Sequence, residues 1–416
     1  MARILHVLPA FLPATLWGGP VFSTAAMCRA GAGPGRHRVR VLTTDAQSPV
    51  SRSRLDLSEN PARFDPGFEV HYARRAFGRS GSWEMLARLP AMVAEADLVH
   101  LSMSYSFPTL PTILACRLLR KPLVWSPRGA IQATEEWPDA PRKGVKRAFE
   151  RLARWMLPRD TVLHVTSQAE ARATARRMPG VAIRTIPNCV PLPSRPVARR
   201  FRPAGQLRLV HLGRLHPKKG LETLIEALAC LPDHITLTVA GGGAPGYETA
   251  LANRVRALGL AHRVAFLGHV EGAAKRQALA AADAFVSPTL SENFGIAIAE
   301  ALASGLPVVT TRAAPWAEIE RYRCGLWIEP GQAPLAAALR ALDACSGDEL
   351  AAWGLRGQRL VSEQFSEAVV GARLVALYAE CLGDGSISGS AETPGDRDRR
   401  GRNSDETREV AWHTRG

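Results

Sequence analysis

Two doubly wound α/β domains facing each other across a cleft are what this 416-residue sequence predicts. Three observations carry the expectation. Short apolar runs alternate with helical stretches from Arg3 to about Ile186, a proline-rich break follows at 187–203, and the same alternation restarts at Leu207. The length and a hydrophobic content of 46% suffice for large cores in two domains or more.

In the first half, strands are expected at 3–8, 38–43, 97–101, 122–126, 161–165 and 181–186. Pro187, Pro191, Pro193, Pro196 and Pro203 are too many for regular structure and mark an interdomain connection. Strands near 207–212, 234–239, 263–267, 284–288, 307–310 and 326–328 then define the second half. Within it, 283–290 reads as a buried strand, Ile296 to Ala303 as a helix, and Gly305-Leu306-Pro307 as its stop. Residues 348–382 read as helices. The tail from Gly383, with almost no apolar side chains to pack, is expected to be disordered. The division is therefore 1–190 and 206–365 for the two domains, 191–205 for the linker, 366–382 for a helix packing back on the first domain, and 383–416 for the tail.

Composition narrows the function classes. The seven cysteines (Cys28, Cys116, Cys189, Cys230, Cys324, Cys345, Cys381) show neither paired nor metal-type spacing, which suits reduced thiols in a cytoplasmic protein. Residues 4–28 carry no Lys, Arg, Asp or Glu, yet Pro9, Pro13, Gly18, Gly19 and Pro20 interrupt them too often for a spanning helix. A strand followed by a loop fits them better.

The net charge of +15 is uneven. Residues 1–195 hold 28 Lys+Arg against 14 Asp+Glu, or +14; 383–416 hold 6 against 7, or −1; the rest holds 19 against 17, or +2. The basic first half suits an anionic partner, of which an anionic membrane surface is one candidate. Its densest run, 142–156, is an amphipathic basic helix in which Val145, Ala148, Phe149, Leu152 and Met156 share a face. Two readings stand: that apolar stripe packs on its own domain, or the helix lies on a membrane surface through its cations and Trp155. Nucleic acid is disfavoured because no such motif is present and few aromatics interleave with the basic residues.

The chemistry concentrates in two stretches. Gly213-Arg214-Leu215-His216-Pro217-Lys218-Lys219-Gly220 follows a strand, so Arg214 and Lys219 project where an anionic leaving group would lie. Glu292 and Glu300 bracket the turn Asn293-Phe294-Gly295 and the helix start. There the amides of Phe294, Gly295 and Ile296 favour phosphate. One carboxylate sits at the strand-to-helix handover and the other about two turns inside.

Gly-Arg-Leu-x-x-x-Lys-Gly, Ser291-Glu292-Asn293-Phe294-Gly295 and Glu300-Ala301-Leu302-Ala303-Ser304-Gly305-Leu306-Pro307-Val308-Val309 together resemble glycosyltransferase family four, nucleotide-sugar enzymes of the GT-B fold with two Rossmann-like domains. Ile4-Leu5-His6-Val7-Leu8-Pro9 with Gly18-Gly19-Pro20, Asp97-Leu98-Val99-His100, Thr166-Ser167-Gln168-Ala169-Glu170 and Ile186-Pro187-Asn188 are similar to the family too, so the likeness spans about 380 residues. It implies an acceptor-binding first domain and a nucleotide-sugar-binding second domain. It also implies Glu292 on donor-sugar hydroxyls and Glu300 on the ribose, roles that suit an acceptor-only carboxylate. Arg214 and Lys219 would neutralise the diphosphate as the glycosidic bond breaks. Glu292, Arg214 and Lys219 are thus the catalytic candidates; Glu300, Phe294, Gly295, Ile296 and Gly213 the donor-binding ones; and Gly18, Gly19 and Arg128 the phosphate or acceptor loop.

Ser126-Pro127-Arg128-Gly129 stands where many members carry a histidine and resembles a subgroup from bacterial surface-polysaccharide pathways. Cys189 and Arg312-Ala313-Ala314-Pro315-Trp316 replace family glycines. The one Asp-x-Asp triplet, Asp396-Arg397-Asp398, lies in the tail, and transfer without a metal or other cofactor is expected, with a UDP- or GDP-sugar as substrate. The expected activity is retaining transfer of a sugar to a lipid-linked or polysaccharide hydroxyl, as in exopolysaccharide or lipopolysaccharide synthesis. The expected place is the cytoplasm, peripherally at the inner face of the membrane. Alternatives are a nucleotide-sugar epimerase or hydrolase of the same fold, or an inactive nucleotide-sugar-binding assembly partner.

Overall fold

The computed structural model describes residues 1–32, 36–132, 142–193 and 206–383. The Asp396 triplet, nearly all of the expected tail and most of the linker lie outside them. The first domain runs β1 (Arg3–Val7), α1 (Gly19–Gly31), β2 (Arg38–Thr44), β3 (Ala62–Phe64), β4 (Phe68–Ala73), α2 (Trp83–Glu95) and β5 (Leu98–Ser102). It continues with α3 (Thr109–Leu118), β6 (Leu123–Ser126), α4 (Lys143–Met156), β7 (Val162–Val165), α5 (Gln168–Ala175) and β8 (Ala182–Thr185). The second runs β9 (Leu207–Leu212), α6 (Leu221–Ala229), β10 (Ile235–Ala240), α7 (Pro245–Ala257), β11 (Val264–Gly268), α8 (Gly272–Ala281) and β12 (Ala284–Ser287). After these come α9 (Ile296–Ala303), β13 (Val308–Thr311), α10 (Glu318–Tyr322), β14 (Gly325–Ile328), α11 (Gln332–Asp343), α12 (Gly347–Gln364) and α13 (Glu367–Leu382).

Strand order is β3-β4-β2-β1-β5-β6-β7-β8 in one sheet and β11-β10-β9-β12-β13-β14 in the other. Among the described strands every pairing is parallel except β3 with β4. The antiparallel β3–β4 edge is absent from the sequence expectation, which left 44–96 without a strand. β4 pairs in parallel with β2, and its Phe68, Val70 and Tyr72 join the core. The consecutive apolar residues of the central strands are buried on both faces, as parallel sheets require.

Both sheets reverse direction at their first strand: β1 lies between β2 and β5, and β9 between β10 and β12. At such switch points the loops at the strands' carboxyl ends part and leave a crevice. The loops after β1, β9 and β12 therefore converge on one cleft, which is what positions the site.

Helix α13 crosses back to the first domain. Its Val370, Leu374, Leu377 and Tyr378 are buried in that domain's core, and Glu367 and Glu380 pair with Arg29 and Arg184.

Helix α4 packs only part of its expected apolar stripe: Met156 is buried and Phe149 rests on the domain core. Its buried residues are Glu150, Ala153 and Met156, while Val145, Leu152 and Trp155 are 68%, 44% and 72% exposed. Glu150 takes the inward position because a buried Arg177 meets it there, Nε to Oε2 at 3.1 Å, with Tyr105 hydroxyl on Arg177 Nη2 at 2.7 Å. With Glu150 drawn inward by that ion pair, Val145, Ala148 and Leu152 of the stripe stand outward.

Candidate active site

The loop after β9 is shaped by Gly220, whose φ is +66° and where a Cβ would stand 2.1 Å from Pro288 O. The close approach brings the β9 loop against the β12 loop: Leu290 N and Thr289 Oγ1 donate to Lys218 O at 2.7 and 2.9 Å. Lys219 is thereby aimed at Glu292, and Nζ donates to Oε2. Asn293 N donates to the other oxygen at 3.1 Å, and Glu292 N itself donates to Ala313 O at 3.2 Å. Arg214, on the same loop, is exposed.

Gly295 begins α9 with φ +82°, and no side chain caps the helix, so its first amides face the cleft free of a capping oxygen. Phe294 itself turns inward. It packs with Trp316 and Phe365 at centroid distances of 5.4 and 5.6 Å, and Trp316 Nε1 donates to Phe294 O. This aromatic footing under the motif was not legible in advance. In sequence Trp316 stands out only as part of the stretch that replaces family glycines.

Two turns on, Glu300 pairs with Lys275 of α8, Nζ to Oε1 at 2.7 Å. Each motif carboxylate thus has its own lysine. Lys275 escaped the sequence reading because it lies in an unremarkable helix 25 residues upstream.

From the other side of the cleft, Gly19 comes close enough that a Cβ would stand 3.4 Å from Ile296 Cδ1, and Gly18 caps α1 with φ +79°. Thr15 hydroxyl meets Glu271, helping to hold that carboxyl below the usual range. Gly213 precedes Arg214 at the mouth of β9, over His211, whose Nδ1 donates to Val286 O at 2.9 Å.

Arg128 sits differently from the other candidates. Its guanidinium turns into the first domain, donating to Asn188 Oδ1 at 2.7 Å and reaching Met27 Sδ at 3.2 Å, and burial pushes it down to about 10. It lies over a buried polar chain of fixed sense. His164 Nε2 donates to Ile186 O (2.9 Å), so its Nδ1 accepts from Ser126 hydroxyl (2.8 Å). Ser126 in turn accepts from His100 Nε2 (2.7 Å), leaving His100 Nδ1 to accept from Tyr378 hydroxyl (2.7 Å). His6 stacks on His100 at 4.8 Å. Burial, aided by Arg128, holds His6 and His164 down at about 3 and His100 well below its usual value. These imidazoles are neutral spacers.

A cavity of about 650 Å³ opens at the opposite, amino-terminal ends of β1 and β2, beside Arg3, Arg38 and Glu69. It lies away from the switch points and from every candidate above. Among the described residues no helix is long and apolar enough to cross a membrane.

Two family models divide the chain as the cleft does: residues 18–189 match the glycosyl transferase 4-like domain, and residues 206–344 match glycosyl transferases group 1. The chain belongs to the GT-B glycosyltransferase superfamily. This GT-B chain superposes on sucrose-phosphate synthase from Thermosynechococcus elongatus with a TM-score of 0.70 at 19% identity, covering 92% of the chain and 100% of that structure. HepE of Anabaena, solved with UDP and glucose, gives 0.66 at 21%, covering 91% and 100%. Among curated proteins, phosphatidyl-myo-inositol mannosyltransferase of Mycobacterium leprae is 38% identical over 136 residues, 30% of this chain and 34% of that protein. The matched stretches span about a third of the first curated relatives.

Proposed function

We propose that the chain is a retaining glycosyltransferase that moves a sugar from a nucleoside-diphosphate sugar to a hydroxyl of a lipid-linked or polysaccharide acceptor, in synthesis of a bacterial surface glycan. The observation that carries this reading is the meeting of Lys219 with Glu292 at the switch point, with Arg214 on the same loop and the open start of α9 beside them. Glu300 holds the ribose and Glu292 the sugar hydroxyls. The diphosphate lies between Arg214, Lys219 and the α9 amides, where growing negative charge is stabilised as the glycosidic bond breaks. The acceptor enters from the side of Gly18 and Gly19, and the leaving phosphate takes its proton as it attacks from the same face. The UDP and glucose held by the HepE structure support a nucleotide-sugar donor.

A lipid-linked acceptor is favoured by α4. Its outward Val145, Leu152 and Trp155 stand among Arg142, Lys143, Lys146, Arg147, Arg151 and Arg154, the composition of a helix that lies on an anionic membrane surface. The lipid named in the mycobacterial relative supports the same acceptor class. Cations and helix amides serve the diphosphate, so transfer proceeds without a divalent ion; chelation followed by magnesium or manganese rescue would contradict that. Incubation with UDP- and GDP-sugars and a lipid-linked acceptor, with NMR of the product, tests the reaction. Retained anomeric configuration is expected, and an inverted product, or sugar release without transfer, refutes it.

A further inference from the structure

Asn293 is a residue of the donor motif that the roles above leave unused, yet it makes a polar bridge from that motif to the first domain. Its Nδ2 donates to Thr166 Oγ1 at 3.1 Å, and its Oδ1 accepts from Gln132 Nε2 at 2.6 Å. Both partners are held in place from below.

Glu170, 2% exposed, accepts from Thr166 N, Thr166 Oγ1 and Gly129 N, each at 2.7 Å. A carboxylate only accepts, so the Thr166 hydroxyl must spend its proton on Glu170 and offer a lone pair to Asn293. That fixes which way the Asn293 amide faces and why Gln132 presents its NH₂. Arg177, tied to Glu150, donates to Gln132 O at 2.8 Å and anchors the other partner. Gly129 lies so close that a Cβ there would stand 2.9 Å from Asn293 Cγ. The half-buried side chain rests on this shelf.

We propose that Asn293 is a positioning residue whose side chain latches the two domains together over the donor, beside the Glu292 carboxylate that its backbone N–H holds. The inference rests on the transferase reading. Because the latch joins first-domain loops to the residue beside Glu292, its loss acts on the step that needs both substrates aligned. Donor binding belongs to the second domain and stays nearly as it was.

Steady-state transfer by full-length wild type, Asn293→Ala, Thr166→Val, Thr166→Ser and the Asn293→Ala/Thr166→Val double variant tests this. The expected result is a kcat lowered roughly tenfold or more in Asn293→Ala, the scale of losing two partly buried hydrogen bonds. The donor KM should change less than about twofold. The double variant should be no worse than Asn293→Ala, and Thr166→Ser, which keeps the hydroxyl, should match wild type. Unchanged kcat in Asn293→Ala, a loss confined to donor KM, additive losses, or a Thr166→Ser as slow as Thr166→Val would each overturn the latch while leaving the transferase standing. A wild type that transfers no sugar would instead sink the reading beneath it.

Discussion

The two domains share a plan but differ in the polar groups they bring to the cleft. In the second, ionised pairs sit at the rim of the cleft, Lys219 with Glu292 and Lys275 with Glu300, above a footing of Phe294, Trp316 and Phe365. In the first, a polar chain lies inside: three neutral histidines, Ser126 and Tyr378 run beneath Arg128. Rim charges can be handed to an incoming anion at little structural cost. A buried chain whose every donor is committed holds shape instead. On the proposed reading, the second domain carries the donor chemistry and the first holds the geometry.

The largest expected effect sharpens that contrast. Lys219→Ala and Glu292→Ala should each slow transfer by on the order of 10²–10³ in kcat, the usual scale for removing a group aimed at transition-state charge. His100→Gln, deep in the first domain, should act mainly on thermal stability; a rate loss matching Lys219→Ala at unchanged melting temperature would break the contrast.

Acid should separate the domains next. The folded values of His6 and His164 lie near 3, below the unfolded value near 6.5, and His100 is lowered too, while the second domain has one comparable group, His211, held at about 4. Between those limits the unfolded chain binds protons that the folded chain refuses. Stability is therefore full above pH 6.5 and lost as pH falls toward 3, by up to about 1.4 kcal/mol per pH unit for each histidine. Calorimetry should show a melting temperature that drops between pH 7 and 5, with the first domain's transition falling further. A flat profile would contradict the neutral chain.

The smallest effect concerns α4. Leu152→Ser with Trp155→Ser should weaken co-sedimentation with anionic vesicles several-fold and leave transfer to a soluble acceptor unaltered. Equal binding to neutral and anionic vesicles would remove the membrane role from the first domain.

Much of the scaffold was legible because its signals are local. β9 and α9 fall on the expected 207–212 and 296–303, bounded by glycine and proline stops that act within a residue or two. What escaped is settled at long range. The periodicity of 142–156 puts Val145, Phe149, Leu152 and Met156 on one face, but with Glu150 drawn to Arg177, 27 residues on, only Phe149 and Met156 pack inward. The partners of Asn293 lie 127 and 161 residues away, and those of Glu292 and Glu300 come from other loops and helices. Motif spacing shows which residue types gather at a strand end; it does not show which lysine faces which carboxylate. Arg128 is the sharpest case, since the same loop could have aimed it at the cleft and instead commits it to Asn188.

Calorimetric titration of UDP and GDP into the wild type, Lys219→Ala, Glu300→Ala and Asn188→Ala proteins addresses the division of labour most directly. One nucleotide should bind per chain, weakened at least tenfold by either second-domain change and left within about twofold by Asn188→Ala. Equal affinity in all four proteins, or a loss confined to Asn188→Ala, would contradict the placement of the donor.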